Sequence, residues 1–447
     1  MYRKFYQVLS EWNRRKKRKP LLVIGARQVG KTYLIEQFCK DTYEDYFTIN
    51  LERQQEYISA FDGDLSPETI LRNLEQLSGR RIDAHCTIFI DEIQQSERAI
   101  TALKYFCEAP VDYRIIGAGS LLGVKLSRFE ASFPVGKVQL CNMYPMDFEE
   151  FLIASEEEPL RDGILEAYRT NQTPVEGIHE KALRLYRDYL YIGGMPEMVS
   201  GYRENDCKTS GVDDALYDAL QTAYLADMTR YTRSPAEGVK ITEVYQSVPR
   251  QLARENPKFK YKEIRPYANK RDFSSSVDWL IASGLVIAVD KVDLPQPPLQ
   301  GYADSGSRKL YLSDTGILCH IAGLKLRDML PESHNIYKGA VTENYVVQQL
   351  NANGHRLYYY KPSESMEIDL VLDTEDGIIP VEIKSGRHKR STSLRNYREK
   401  YRPPYAIRIS ELNFGEADGL RSLPLYAVWC IGKCLEAQTK AYKKENE

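Results

Sequence analysis

Three groups of residues have types and spacings that can do chemistry. The first is Gly25-Ala26-Arg27-Gln28-Val29-Gly30-Lys31-Thr32, which fits G-x-x-x-x-G-K-[ST]. Gly25 and Gly30 permit a tight turn that brings backbone N–H groups to phosphate oxygens, where a Cβ would obstruct them. Lys31 supplies a cation for β- and γ-phosphates. Thr32 offers a hydroxyl to Mg²⁺ at the start of a helix whose N-terminal dipole favours anions. The second group closes the apolar run Cys86-Thr87-Ile88-Phe89-Ile90 with Asp91-Glu92. Asp91 is expected to hold Mg²⁺ beside Thr32, directly or through water. Glu92 is expected to orient and deprotonate an attacking water. ATP and Mg²⁺ are the ligands implied, and hydrolysis the reaction. The third group is Asp369, Glu382 and Lys384. Two carboxylates on adjacent strands, with a lysine two residues after the second and on the same face, suit a divalent ion flanked by an ammonium group. That is the chemistry of metal-dependent phosphodiester cleavage.

These groups need particular elements to hold them. Pro20-Leu21-Leu22-Val23-Ile24 reads as a buried strand entering the phosphate loop, and Tyr33 to Phe38 as the helix leaving it. Tyr46 to Asn50 reads as a strand between the first two groups. Arg114 to Gly119 reads as a further buried strand with Ser120 at its tip. Ser120 is either part of a tight turn or the polar group that touches the γ-phosphate or attacking water in ATPases of this architecture. Between Lys240 and Asp272, nine Lys or Arg stand against four Asp or Glu. Helices are expected over 241–252, 261–268 and 273–285. Strands follow at 286–289 and 309–312, with a Pro-rich loop between them. Three helices and two strands suggest a winged helix-turn-helix, in which Lys258, Lys260, Lys262, Lys270 and Arg271 would meet DNA phosphates. A helix over 339–350 carrying Glu343 and a hairpin over 367–384 then frame the third group.

Taken together, the loop, Ile90-Asp91-Glu92-Ile93-Gln94, Gly119-Ser120, Tyr144 to Leu152 and Tyr191-Ile192-Gly193-Gly194-Met195-Pro196-Glu197 resemble prokaryotic AAA-type ATPases fused to a C-terminal domain of unknown function. The resemblance runs the length of the chain. It implies a helical lid over 183–224, with Gly193-Gly194-Met195-Pro196 as a turn between lid helices. It names no arginine finger among Arg128, Arg230 and Arg233. The C-terminal pattern resembles the PD-(D/E)XK nuclease core, with Glu343 as its helical acid, Asp369 and Glu382 as metal ligands, and Lys384 beside them without being a ligand. The family's leading Pro-Asp is here Ile368-Asp369. The expected fold is α/β in three domains. Residues 1–232 form a P-loop AAA-type ATPase with a lid, 233–335 a winged helix-turn-helix, and 336–447 a restriction-endonuclease-like domain.

The bulk composition restricts this reading without sharpening it. The chain has 447 residues, 43% hydrophobic and 28% charged, with a net charge of −2. Any basic surface must therefore be local, such as Arg14 to Lys19 or Arg387-His388-Lys389-Arg390 with Arg395, Arg398, Lys400 and Arg402. Neither a secretory leader nor a membrane span is expected, which makes the cytoplasm the default. Eight dispersed cysteines suit buried thiols. The expected function is an Mg²⁺-dependent ATPase coupled to DNA binding or processing. The alternative is a nucleotide-regulated protein-interaction switch with a catalytically silent nuclease-like domain. AAA-type proteins often form rings, so an oligomer is compatible with either.

Overall fold

The computed structural model describes residues 1–127, 134–232, 234–254, 258–363, 365–387 and 391–432. Of the expected features, Arg128, Arg233 and His388 to Arg390 lie outside these residues. The chain divides into two compact units, Met1–Tyr144 with Ala282–Leu285, and Pro145–Ile281 with Val286–Glu447.

The first unit is built on five parallel strands: β1 (Leu21–Ile24), β2 (Tyr46–Asn50), β3 (Thr87–Asp91), β4 (Ile115–Gly119) and β5 (Gln139–Asn142). Their order is β2-β3-β4-β1-β5. β1, β3 and β4 are near-continuous apolar runs because helices cover both faces of a parallel sheet. Register then assembles the chemistry. Ile24 is level with Gly119, and Asn50 with Asp91. The residues that leave the carboxyl ends of β1, β3 and β4 therefore converge on one sheet edge, where ligands of open α/β sheets bind. A helix over Phe5–Arg14 precedes the sheet and buries Phe5, Leu9 and Trp12. The Trp12 indole donates to the Lys19 carbonyl at 2.8 Å, while Arg14 to Lys17 stay exposed.

The second unit holds an eight-stranded mixed sheet: β6 (Val286–Val292), β7 (Ala303–Leu312), β8 (Tyr358–Ser363), β9 (Met366–Thr374), β10 (Gly377–Ile383), β11 (Ala406–Ser410), β12 (Gly415–Ala417) and β13 (Leu420–Pro424). Its order is β12-β13-β11-β10-β9-β8-β6-β7. The boundary expected at 335/336 does not separate two sheets. β6 and β7 form the hairpin expected of a wing, but β6 also pairs in parallel with β8, Asp290 opposite Tyr358 through Val292 opposite Tyr360. Left apart, β6 and β8 would each expose a row of unpaired N–H and C=O groups. Joining them removes both edges.

The middle helices also differ from expectation. The first runs Pro235–Leu252 and the third Lys270–Ala282, but the second is only a 3₁₀ turn over Tyr261–Glu263. Pro266 explains this, since its ring disfavours helical backbone at Arg265 before it. Helices Glu176–Ile192 and Pro196–Glu204 are joined by Gly193-Gly194. The turn packs on the N-terminus of helix Thr315–Ile321, whose cap is Asp314. A Cβ on Gly193 would fall 2.2 Å from Asp314 Oδ1, and one on Gly194 1.9 Å from the Met146 carbonyl. Among the described residues, no helix is long and apolar enough to cross a membrane.

Candidate functional site

At the sheet edge of the first unit, β1 passes into the loop and the loop into helix Lys31–Thr42. Gln28 and Gly30 have φ of 65° and 89°. Only the second is a glycine, which takes that conformation at no steric cost. Gly25 is required for a different reason: a Cβ there would sit 2.2 Å from the Met143 carbonyl oxygen. Arg3 is buried and donates to the carbonyls of Val29 at 2.7 Å and Tyr144 at 2.6 Å, tying the loop to the chain beyond β5. Lys31 is buried, and its ammonium donates to the Gly25 and Ala26 carbonyls, each at 2.8 Å.

Thr32 Oγ1 donates to Asp91 Oδ2 at 3.0 Å. Asn50 Nδ2 donates to the same oxygen at 2.9 Å, while the buried Asp91 Oδ1 has no hydrogen-bond partner among the described residues. A buried carboxylate with one orphaned oxygen beside a hydroxyl is the donor set a hard cation takes, so these residues fit Mg²⁺. Burial raises the Asp91 carboxyl's pKa, against the Thr32 hydrogen bond that lowers it. Glu92 follows in left-handed backbone, φ 50°, a strained conformation for a side chain of its size. The Gln94 amide donates to Glu92 Oε2, and burial raises the Glu92 pKa as well. Ser120 is buried beyond β4, with its hydroxyl unpartnered among the described residues. A Cβ on Gly119, the last residue of β4, would lie 1.9 Å from Gln94 Oε1, so the Gln94 side chain closes over that glycine.

In the second unit Glu343, Asp369, Glu382 and Lys384 line one cavity of about 790 Å³. Glu343 comes from helix Tyr337–Ala352, Asp369 from β9, Glu382 from β10, and Lys384 from just after β10. Leu370 pairs with Val381, which leaves Asp369 and Glu382 at the next step of the ladder. One carboxylate oxygen of each acid is engaged elsewhere, while the buried Glu382 Oε2 has no hydrogen-bond partner among the described residues. Glu343 Oε1 accepts from Lys309 Nζ at 2.9 Å and from the Tyr311 hydroxyl at 2.5 Å. Glu382 Oε1 is 2.6 Å from Lys384 Nζ, and Asp369 Oδ2 accepts the Ile383 N–H at 2.7 Å. Burial, with Glu382 and Glu343 nearby, pushes the Asp369 carboxyl up to about 8. Burial disfavours the Lys384 ammonium, but Glu382, Asp369 and Glu343 together more than offset it and its pKa is raised. Among the described residues, no three or more His, Cys, Asp or Glu are arranged to hold a metal ion. The C-terminal cluster as it stands therefore does not fit a divalent cation.

Sequence reasoning missed Arg3, Asn50, Gln94, Lys309, Tyr311 and Glu367. Asn50 had a readable signal, as a polar residue closing a strand beside Thr87–Asp91. Lys309 and Tyr311 had none, because nothing local links that strand to a helix thirty residues on.

An AAA-domain model matches residues 17–152. Two models described as domains of unknown function, DUF8612 and DUF4143, match 183–328 and 338–428. No curated protein matches the chain. Among solved structures, a Walker-type ATPase of Pyrococcus abyssi aligns at 15% identity over 71% of this chain and 94% of its own, with a TM-score of 0.42. The ORC1 protein of Aeropyrum pernix, solved in complex with DNA, aligns at 12% identity over 72% and 90%, TM-score 0.29. The ORC2 protein of the same organism aligns at 12% over 71% and 90%, TM-score 0.33. The AAA match covers the phosphate loop and Asp91-Glu92, and this part of the chain is an ATP-binding, ATPase-like domain.

Proposed function

We propose that the protein is an Mg²⁺-dependent ATP hydrolase whose turnover is coupled to contact with DNA. One observation carries the hydrolase reading: Asp91 has one carboxylate oxygen on Thr32 and the other unpartnered among the described residues, next to a Glu92 oriented by Gln94. Lys31 and the loop N–H groups would bind the phosphates. Thr32 and Asp91 would hold Mg²⁺, which neutralises phosphate charge when bound. Glu92 would take the proton of the attacking water, and Ser120 would touch the γ-phosphate or that water.

The DNA half is supported by the surface of the middle region. Lys260, Lys262, Lys270 and Arg271 are exposed, and Tyr267 stands 96% exposed among them with φ 65°. A bare aromatic ring beside cations suits a phosphate backbone and an unstacked base. Lys258 is less available, since its ammonium donates to Ser307 Oγ at 2.9 Å. The ammonium-paired C-terminal cluster favours binding over cutting.

Fluorescence anisotropy on labelled duplex and single-stranded DNA, read alongside phosphate release, tests both halves. Wild type should bind DNA with a steep salt dependence and change its turnover when DNA is added. The double variant Lys270→Glu, Arg271→Glu should bind at least ~10-fold more weakly. Equal affinity and equal turnover in the two proteins would sink the DNA assignment. Glu92→Gln should bind ATP normally and turn it over ~10²- to 10⁴-fold more slowly, and an unchanged rate would remove Glu92 from the mechanism.

A further inference from the structure

Four acids, Glu343, Glu367, Asp369 and Glu382, and four bases, Arg254, Lys309, Lys361 and Lys384, line the C-terminal cavity. Arg254 is paired with Glu263, 2.5 Å away and outside the cavity lining, so three lysine ammonium groups stand among the four carboxyls, and the affinity of an oxygen-ligand divalent site follows that charge count. The pairing is specific. Lys309 Nζ lies 2.9 Å from Glu343 Oε1 and 2.7 Å from Glu367 Oε1. Lys361 Nζ lies 3.2 Å from Glu367 Oε2, and Lys384 Nζ 2.6 Å from Glu382 Oε1. Lys309 is 1% exposed, and its ammonium also sits 5.1 Å from the centre of the Tyr359 ring. An ammonium at that depth is tolerable only with carboxylates around it. Glu343 and Glu367 therefore serve its charge.

We propose that the Lys309 ammonium is the resident cation of this cluster, holding Glu343 and Glu367 in the place of a divalent metal ion, and that the wild-type chain binds no such ion there. Lys309 comes from β7, one of the two strands shared with the middle region, so the same residue fastens β7 to helix Tyr337–Ala352 and to β9. Removing the ammonium leaves buried carboxylates with uncompensated charge, and these would then recruit a metal.

Mn²⁺ titrated into the full-length, nucleotide-free protein and followed by electron paramagnetic resonance tests this. Wild type and Asp369→Ala should bind the same number of ions. Lys309→Met should bind one more per chain, and the added ion should be lost in Lys309→Met, Glu343→Gln. A wild-type ion that disappears in Asp369→Ala overturns the proposal, as does a folded Lys309→Met that gains none. Should Lys309→Met fail to fold, the comparison of wild type with Asp369→Ala still decides: equal stoichiometry supports the proposal and a difference overturns it.

Discussion

Asp91 acts through two side-chain neighbours of different type, Thr32 and Asn50, and only Thr32 belongs to the loop motif. Asn50 spends its amide on the oxygen that Thr32 also contacts, which leaves Oδ1 as the free donor. Outer-shell partners of this kind commonly contribute 10- to 100-fold to metal affinity or activity. Asn50→Ala should raise the Mg²⁺ concentration for half-maximal phosphate release by roughly 10-fold while ATP affinity without Mg²⁺ stays unchanged. A uniform drop in rate with no shift in Mg²⁺ dependence would mean that Asn50 merely supports the fold. At Gly25 the prediction is steric. A methyl group there meets the Met143 carbonyl at 2.2 Å, and overpacking of a rigid segment costs about 1–3 kcal/mol. Gly25→Ala should weaken binding of a fluorescent ATP analogue by roughly that energy, about 10-fold or more. Unaltered binding would show that the loop can shift away.

Between elements, the junction of the Gly193-Gly194 turn with helix Thr315–Ile321 rests on one carboxylate. Asp314 accepts from the Gly194 N–H at 2.6 Å and the Ile317 N–H at 3.0 Å, and it is fully buried. Burial pushes its pKa from 3.8 to about 6 despite those hydrogen bonds. A folded-state pKa above the unfolded one means that the folded chain keeps its proton longer. The contribution to stability is full below pH 3.8 and is lost as pH rises through about 6. Its size is about 3 kcal/mol. Urea unfolding should therefore show wild type losing stability between about pH 4 and pH 6.5 relative to Asp314→Asn, whose side chain does not titrate. Parallel curves for the two proteins would assign the pH dependence to other groups.

For the whole molecule, the continuous sheet of the second unit sets where the chain tolerates being cut. A fragment beginning at residue 336 would lose β6 and β7, exposing the edge of β8 and leaving Glu343 and Glu367 without Lys309. Unpaired edges of this kind template aggregation. A fragment of residues 145–447 keeps all eight strands. When both are expressed, the longer one should be soluble and show cooperative unfolding, and the shorter one should aggregate. A soluble, cooperatively folding 336–447 fragment would show that the C-terminal strands need no partner.

Much of the nucleotide site was legible because its signals are local. The loop lies within eight consecutive residues, Asp91-Glu92 closes one apolar strand, and parallel pairing carries both to one edge whatever the intervening helices do. The strands around Asp369 and Glu382 were legible for the same reason, since period-two alternation and the polar, Gly-containing segment Asp373 to Gly377 read as a hairpin, although the structure shortens that connection to Glu375-Asp376. The short 3₁₀ turn at Tyr261 to Glu263 was partly readable from Pro266, whose effect on its neighbour outweighs the helical spacing around it. What neutralises the C-terminal acids was not legible. Lys309 in sequence is one more base in a strand, and only the pairing of β6 with β8, between segments almost seventy residues apart, brings it to Glu343 and Glu367. Residue types and short spacings thus establish which chemistry the chain offers. Which carboxylates remain free to perform it depends on long-range packing, because a buried charge takes whatever counter-charge the fold brings nearest.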